Sequence, residues 1–211
     1  MKETVLKHDP YNLIITGVGG QGNVLASRLV GEMMTDKGFF VTIGETFGSS
    51  QRGGSVMSHL RVSSTGVVSP QIPRGKAHMV VSLEPVEAIR VLKDYGNPGV
   101  KVLCNTRPIH PVGVISGELS YPNYDKIVEW IRSLSSRCWF FDPSADALRL
   151  GNPVVSNVIT VGALSATGEL NFNLDLFEKI ARRKFPASKV EMNLKAFEIG
   201  IDLVQRNEQE N

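Results

Sequence analysis

A short apolar run followed by a glycine-rich loop and a helical pattern, close to the start of the chain, is the strongest constraint on the fold. Asn12–Thr16 reads NLIIT, which is typical of a strand buried on both faces. The next residues, Gly17–Gly22, fit the pattern G-x-G-x-x-G. From Gly20 to about Lys37 apolar residues recur at helical spacing, and Gly38 then provides a helix-ending glycine. A strand, a glycine loop and a helix in this order predict an anion-binding turn of the kind found in nucleotide-binding folds.

Three glycines of this loop have separate physical roles in that prediction. Gly17 permits a tight turn, Gly19 lacks the Cβ that would block a phosphate, and Gly22 allows the helix and the strand to approach closely. The exposed N–H groups of the first helical turn favour a negative charge. The alternative is that the glycines serve only a tightly packed turn, and the residues alone leave both interpretations open.

The rest of the chain alternates strands and helices. Further strands are predicted at Phe39–Glu45, Ser55–Ser63, His78–Glu84, Val100–Asn105 and CWFFD, and helices after Glu84, over Tyr124–Leu134, in PSADALRLG, in NPVVSNVITVGALSATG and from Asp175 onward. The alternation within Ser55–Ser63 predicts one solvent-facing side for that strand. This order of elements predicts an α/β fold, a Rossmann-like doubly wound and mostly parallel sheet with flanking helices. Because no linker or internal repeat is visible, residues 1–211 are expected to form a single domain.

The loop after the second predicted strand departs from an ordinary dinucleotide-binding fold. Glu45 lies roughly 20 residues after the glycines, where an acidic residue would hold a ribose. The segment GSSQRGGS that follows is rich in small residues, and the next element reads as a strand instead of a helix. Because the loops after the first two strands leave the same edge of such a sheet, we expect the two loops to meet. Arg52 would then be a fixed cation beside two glycines; alternatively, Gln51 and Arg52 only hydrogen-bond neighbouring carbonyls.

Composition and charge argue against several classes of protein. The 211-residue chain has a net charge of +2 and dispersed basic residues, so nucleic-acid binding is not expected. Its apolar runs are short and its N-terminus lacks the apolar core of a signal peptide, so a cytoplasmic protein without a membrane segment is expected. Two cysteines, Cys104 and Cys138, are too few for an iron–sulfur cluster, and the four histidines show no metal-ligand spacing. We therefore expect no metal site on this chain.

Five segments, taken in order, resemble one enzyme family. They are GVGGQGNVLASRL, ETFGSSQRGGSVMSHLR, NTRPIHPV, GNPVVSNVITVGAL and VEMNLKAFEIG. Together they resemble the gamma-type domain of the 2-oxoacid:ferredoxin oxidoreductases, and within that family the beta subunit of the indolepyruvate type. The similarity extends from about Asn12 to Gly200, and the combination of the glycine loop with QRGGSV makes it specific.

This resemblance implies a subunit of a complex that oxidatively decarboxylates a 2-oxoacid, here indolepyruvate or another arylpyruvate, to an acyl-CoA while reducing ferredoxin. It also implies that thiamine diphosphate, magnesium and the iron–sulfur clusters lie on a larger alpha subunit, so that this chain is not active alone. The implied fold is Rossmann-like, with a role near coenzyme A. Carried onto the matching loops, the resemblance assigns ligand contacts to Gly17, Gly19, Gly20, Gln21, Gly22, Gln51, Arg52 and Gly53. The second loop could instead reach the partner subunit, the glycine loop could fix that interface, and the isolated chain could form a homodimer.

No residue is assigned a catalytic role. Arg107 and His110 in NTRPIHPV follow a predicted strand at the same edge of the sheet, but a histidine between an isoleucine and a proline is more often structural. The serines of the second loop have no identifiable triad partner. Two other functions stay open. One is an NAD(P)-dependent dehydrogenase that uses the glycine loop and Glu45; the other is a nucleotide-binding scaffold without catalysis, whose apolar stripe from Val190 to Val204 packs on a partner.

Overall fold

A mixed sheet of six strands forms the centre of the molecule in the computed structural model, which describes residues 6–48 and 54–209. The strands are β1 (Tyr11–Val18), β2 (Phe40–Phe47), β3 (Ser55–Ser63), β4 (Met79–Ser82), β5 (Lys101–Asn105) and β6 (Arg137–Phe141). Their order in the sheet is β2-β3-β1-β4-β5-β6. β1, β4, β5 and β6 run parallel, whereas β3 runs antiparallel to both of its neighbours, β1 and β2. The predicted α/β sheet is confirmed, with one antiparallel strand inserted beside β1.

Helices cover both faces of this sheet. They are α1 (Asn23–Asp36), α2 (Pro85–Tyr95), α3 (Val112–Ile115), α4 (Tyr124–Leu134), α5 (Ser144–Arg149), α6 (Ser156–Ala166), α7 (Leu174–Lys184) and α8 (Ala187–Gln209), with a 3₁₀ turn at Pro153–Val155. α1, α6, α7 and α8 pack on one face, and α2 and α4 pack on the other. Within the described ranges, none of these helices combines the length and the apolar character that crossing a bilayer requires.

β1 and β4 mark the place where the direction of winding changes. From β1 the chain passes through α1 to β2 on one side, and from β4 it passes through α2 to β5 on the other side and on the opposite face. Such a reversal opens a crevice beyond the carboxyl ends of the two strands, and ligands of doubly wound sheets bind there. The glycine loop lies at this point because it directly follows β1.

β3 differs from the expectation of one solvent-facing side. His59, on that side, is 2% exposed. The chain that leaves β3 folds back over this face, where the Ile72 N–H donates to His59 Nδ1 at 3.3 Å and Arg61 Nη1 donates to the Ser69 carbonyl at 2.9 Å. The prediction is wrong because alternating polarity does not reveal which later segment covers the polar side.

α6 and α8 form the closest helix pair described. A Cβ on Gly162 of α6 would lie 2.0 Å from the Phe197 carbonyl oxygen, and one on Gly200 of α8 would lie 2.0 Å from the Ile159 carbonyl oxygen. The two backbones are therefore in direct contact, and the predicted buried helix in NPVVSNVITVGALSATG is confirmed. This contact fixes α6, whose first turn belongs to the site described next.

Candidate functional site

A cavity of about 600 Å³ opens at the carboxyl edge of the sheet, at the crevice beyond β1 and β4. Gly20–Gly22 line it from the loop after β1, Leu83 from the end of β4, and Arg107 from the loop after β5. Ser156 and Thr160, in the first turns of α6, line the opposite wall. Both the size and the position are typical of a small-molecule site in a doubly wound fold.

The two loops that the sequence predicts to meet do so. The Gly19 N–H donates to the Gly54 carbonyl at 2.8 Å, which joins the loop after β1 to the start of β3. β2 also ends at this edge, because it runs in the same direction as β1. Gln51, Arg52 and Gly53 lie outside the described residues, so their predicted contact with a ligand or a partner stays a prediction.

Gln21 ties the end of β1 to the end of β4. Its Oε1 accepts the Val18 N–H at 2.7 Å, and its Nε2 donates to the Leu83 carbonyl at 2.7 Å. Its backbone N–H is also used, donating to the Val18 carbonyl at 3.1 Å. Gln21 therefore holds the crevice at a fixed width, and its side-chain amide shapes the site by spanning the crevice.

The glycines of the loop make room for side chains as well as for a ligand. Gly17 lies within β1, where a Cβ would stand 2.6 Å from Gln21 Oε1. Gly22 has a φ of +87°, and a Cβ there would stand 2.0 Å from Nδ2 of Asn157 on α6, so the close approach that it permits is to α6. Gly20, with a φ of +104°, has open space where its Cβ would be. Among Gly17, Gly20 and Gly22, Gly20 is therefore the one whose exposed backbone fits an approaching ligand best.

The electrostatics of the cavity favour an anion. α6 continues directly from the 3₁₀ turn Pro153–Val155, where the Asn152 side chain accepts the Val154 N–H and the Ser156 N–H donates to the Pro153 carbonyl, so the N–H groups at its start are partly paired. α1 begins after Gly22 without a side-chain cap and without an acidic residue in its first turn. Helix N-termini of this kind carry partial positive charge and N–H groups that need acceptors. Arg107 adds a full charge, and the described lining residues include no carboxylate. A phosphate group fits this environment.

Two buried oxygen atoms lie beside the glycine loop without a hydrogen-bond partner among the described residues. They are Asn23 Oδ1 and Asn157 Oδ1. Asn23 Nδ2 donates to the Val56 carbonyl at 3.0 Å, and Asn157 Nδ2 lies 3.5 Å from the Gly22 carbonyl oxygen. Both amides are thus anchored through nitrogen, and each oxygen is left without a donor among the described residues.

A second cavity of about 440 Å³ lies on the other side of Ile109, and its lining combines two buried carboxylates with Arg90, which pairs with Glu87 at 3.5 Å. Glu84 and Glu87 line it, at 2% and 5% exposure. Ser55 Oγ donates to Glu87 Oε2 at 2.5 Å, and burial raises the pKa of the Glu87 carboxyl. An anionic ligand would meet these carboxylates here, so the first cavity is the better anion site.

Glu45 is far from the position that dinucleotide binding would require. In the sheet, Glu45 pairs with Ser58 of β3, which in turn pairs with Ile15 of β1. Two strand spacings, roughly 10 Å, therefore separate Glu45 from β1. The inserted β3 occupies the place where the ribose-binding acidic residue of such folds is held, so the geometry disfavours the dehydrogenase alternative.

The family of pyruvate ferredoxin/flavodoxin oxidoreductases matches residues 12–203 of this sequence. The chain belongs to this family. It is 39% identical, over 90% of its length and 94% of the relative's, to indolepyruvate oxidoreductase subunit IorB of Thermococcus kodakarensis. It is 36% identical, over 90% and 94%, to the protein of the same name from Pyrococcus horikoshii.

Solved structures agree with the fold. The gamma subunit of a keto/oxoacid ferredoxin oxidoreductase from Geobacter sulfurreducens superposes with a TM-score of 0.65 at 20% identity, over 93% of this chain and 99% of that one. A 2-oxoglutarate:ferredoxin oxidoreductase from Magnetococcus marinus, with 2-oxoglutarate, coenzyme A and succinyl-CoA bound, superposes with a TM-score of 0.70 at 16% identity. That match covers 95% of this chain and 32% of the longer one.

Sequence reasoning found one wall of the cavity and missed the other. The sequence places Arg107 and His110 after a strand that ends at the same edge of the sheet, and the structure brings both to the cavity. The sequence does not predict that Ser156 and Thr160 reach the cavity, and a local signal indicates only that a helix begins before them. Asn152 followed by Pro153 is a helix-start pattern, and the Asn152 Oδ1 indeed accepts the Val154 N–H at 3.1 Å.

Proposed function

We propose that this chain is the smaller subunit of an indolepyruvate (arylpyruvate):ferredoxin oxidoreductase, and that its 600 Å³ cavity holds the anionic part of coenzyme A. The observation that carries the proposal is the convergence of the uncapped N-terminus of α1, the first turn of α6 and Arg107 on one cavity. Gly20 provides the open backbone that a phosphate needs. The related IorB subunits and the coenzyme A in the Magnetococcus marinus structure support this assignment.

The redox chemistry in this proposal belongs to the larger partner subunit. Thiamine diphosphate with magnesium would supply the electron sink for decarboxylation there, and iron–sulfur clusters would pass electrons to ferredoxin. A cluster takes about four thiolates, whereas this chain has two cysteines. Cys104 is fully buried in β5 and burial raises the pKa of its thiol, so it is a poor metal ligand.

An apolar rim around the cavity supports a partner at this edge of the sheet. The rim consists of Ile109, Val112, Ile115, Leu148 and Val154, which are 37%, 80%, 75%, 60% and 63% exposed. Four of them, Ile109, Ile115, Leu148 and Val154, line the cavity itself, so a subunit that buries the rim would also close the cavity. Acyl transfer requires coenzyme A to reach thiamine diphosphate, and this arrangement would bring the two together.

Reconstitution tests the division of labour. The purified chain, the large subunit and their mixture are each assayed with indolepyruvate, coenzyme A and ferredoxin. We expect ferredoxin reduction and acyl-CoA formation only in the mixture. Turnover by this chain alone would contradict the proposal. Size-exclusion chromatography of the isolated chain would also show whether the exposed rim drives the homodimer that the sequence analysis allows; the cytoplasmic location stays a prediction.

Arg107→Ala tests whether the cavity binds coenzyme A. Loss of a charge-assisted contact to phosphate should raise the KM for coenzyme A about tenfold in the reconstituted complex, and the KM for indolepyruvate should stay unchanged. Arg182→Ala is the control, because Arg182 is an exposed arginine of α7 that pairs with Glu178 away from the cavity. An unchanged KM for coenzyme A with lost subunit assembly would instead identify a scaffold.

A further inference from the structure

The imidazole of His110 is stacked on the phenol ring of Tyr121. The ring centroids are 4.9 Å apart and the planes differ by 2°. His110 lines the first cavity, whereas Tyr121 lines the second, so the stack stands in the wall between them. Offset parallel stacking of this kind is a favourable aromatic geometry, and it restricts the orientation of the imidazole.

Tyr121 is itself held by a buried carboxylate. Its hydroxyl donates to Glu84 Oε1. Glu84 is 2% exposed, and its other oxygen accepts the Glu87 N–H at 2.9 Å, which caps α2. Burial, and then the contact with Glu84, raises the pKa of the Tyr121 hydroxyl, so the hydroxyl stays protonated and remains a donor. A chain of contacts therefore runs from the start of α2 to the wall of the anion cavity.

This chain of contacts explains how an exposed loop can present a fixed side chain. Arg107–Pro111 are all exposed, and α3, which follows them, contains no buried residue. Packing within the loop therefore restrains His110 little. The stack on Tyr121 supplies an ordered contact, and it does so beside Arg107, the other nitrogen-bearing side chain that the loop contributes to the cavity.

We propose that His110 is an anion-binding residue of the cavity and that Tyr121 is its positioning residue. This inference rests on the proposed function and deepens it, because the ligand group that His110 would meet is a phosphate of coenzyme A. That group is either the 3′-phosphate or the diphosphate. An imidazole N–H donates to a phosphate oxygen in either case.

The test is a double-mutant cycle in the reconstituted complex with the large subunit. His110→Ala should raise the KM for coenzyme A about tenfold, with a much smaller change in kcat at saturating coenzyme A. Tyr121→Leu, which removes the stack, should produce a similar rise, and Tyr121→Phe, which keeps the ring and loses the tether to Glu84, a smaller one of about threefold. Because Tyr121 acts through His110, the His110→Ala/Tyr121→Leu double variant should be no worse than His110→Ala alone.

Two comparisons identify the ligand group and the background effect. The KM is also measured with 3′-dephospho-coenzyme A. If His110→Ala raises this KM as much as it raises the KM for coenzyme A, His110 binds the diphosphate. If His110→Ala raises only the KM for coenzyme A, His110 binds the 3′-phosphate. His8→Ala is the matched control, because His8 is also stacked on an aromatic ring, that of His78, at the opposite edge of the sheet. It should leave the KM unchanged.

The outcomes separate this inference from the proposed function. An unchanged KM in His110→Ala while Arg107→Ala raises it would overturn the role of His110 alone. Additive effects of His110→Ala and Tyr121→Leu would overturn the positioning role of Tyr121, since a purely structural tyrosine would act independently of His110. Unchanged KM values in both His110→Ala and Arg107→Ala would remove coenzyme A from this cavity, whereas the role of the chain as a subunit of the oxidoreductase is tested separately by the reconstitution.

Discussion

Gly22 shows how one residue serves both the fold and the site. Its φ of +87° lies in the left-handed region, which an L side chain adopts at a cost of about 1–2 kcal/mol. It also stands against Asn157, whose Nδ2 would be 2.0 Å from an added Cβ. The carbonyl of the same glycine accepts the first hydrogen bonds of α1, from Leu25 and Ala26. Gly22 is thus needed where the anion-binding helix begins and where α6 joins it.

Gly22→Ala should lower the free energy of unfolding by about 2 kcal/mol or more, because backbone strain and a steric clash add. Gly20→Ala is the matched comparison, since its φ of +104° gives strain but its Cβ would meet open space. Urea denaturation measures both. The double variant Gly22→Ala/Asn157→Ala lacks the clashing side chain. Its loss of unfolding free energy relative to Asn157→Ala should therefore be smaller by the steric part. Equal losses for Gly20→Ala and Gly22→Ala would show that Asn157 yields without cost.

At the scale of elements, the contact between α6 and α8 determines where the first turn of α6 stands relative to the glycine loop. Gly162→Ala would force a Cβ into the Phe197 carbonyl, a backbone atom that can move only if the helices separate. We expect a loss of about 3 kcal/mol in unfolding free energy and a weaker coenzyme A site. Gly31→Ala in α1 should be close to neutral, because its Cβ would meet only the flexible end of Ile43 at 3.0 Å and alanine favours the helix. A loss in Gly31→Ala equal to that in Gly162→Ala would contradict this explanation.

Local patterns and tertiary packing differ in how far the sequence predicts them. Tyr124–Leu134 and Ser55–Ser63 have the bounds predicted from periodicity, because local patterns determine where an element begins and ends. The direction of β3 is not encoded in its alternation, so its antiparallel insertion beside β1 was not foreseen. The glycine loop could be identified because its residues, Gly17–Gly22, are contiguous in the sequence. Thr160, far along the chain, reaches the cavity only through tertiary packing, which no local pattern reveals.

At the scale of the whole molecule, the two edges of the sheet have different chemistry. At the amino edge Glu169, 6% exposed, accepts from Lys7 Nζ at 2.8 Å, from Lys101 Nζ at 2.6 Å and from the Tyr11 hydroxyl at 2.9 Å. These contacts, led by Lys101, outweigh burial and lower the pKa of the Glu169 carboxyl. The carboxyl edge instead has Arg107, the uncapped N-terminus of α1 and the apolar rim. Among the described residues, the buried carboxylate of Glu169 is paired with two lysines at the amino edge, whereas Arg107 has no ion pair at the edge where a ligand and a partner are proposed to bind.

His78 gives the amino edge a specific dependence on pH. Burial, followed by repulsion from His8 and Lys76, lowers its pKa to about 4, although Glu169 opposes the shift. The unfolded chain would bind a proton at His78 below about pH 6.5, whereas the folded chain would not until about pH 4. Stability is therefore full above pH 6.5 and falls as the pH decreases through this window, by about 1–2 kcal/mol between pH 7 and pH 5.

His78→Asn removes the titrating group and keeps an acceptor for the Asn12 N–H, which His78 Nδ1 binds at 2.9 Å. Thermal unfolding of the wild type and the variant across pH 7 to 5 should show a smaller decrease in Tm for the variant. Groups common to both proteins that do not interact with His78, including Glu87 with its raised pKa, contribute equally and cancel in this comparison. Parallel pH profiles would mean that His78 titrates alike in the folded and unfolded chains, and that its burial at the sheet edge has no electrostatic cost.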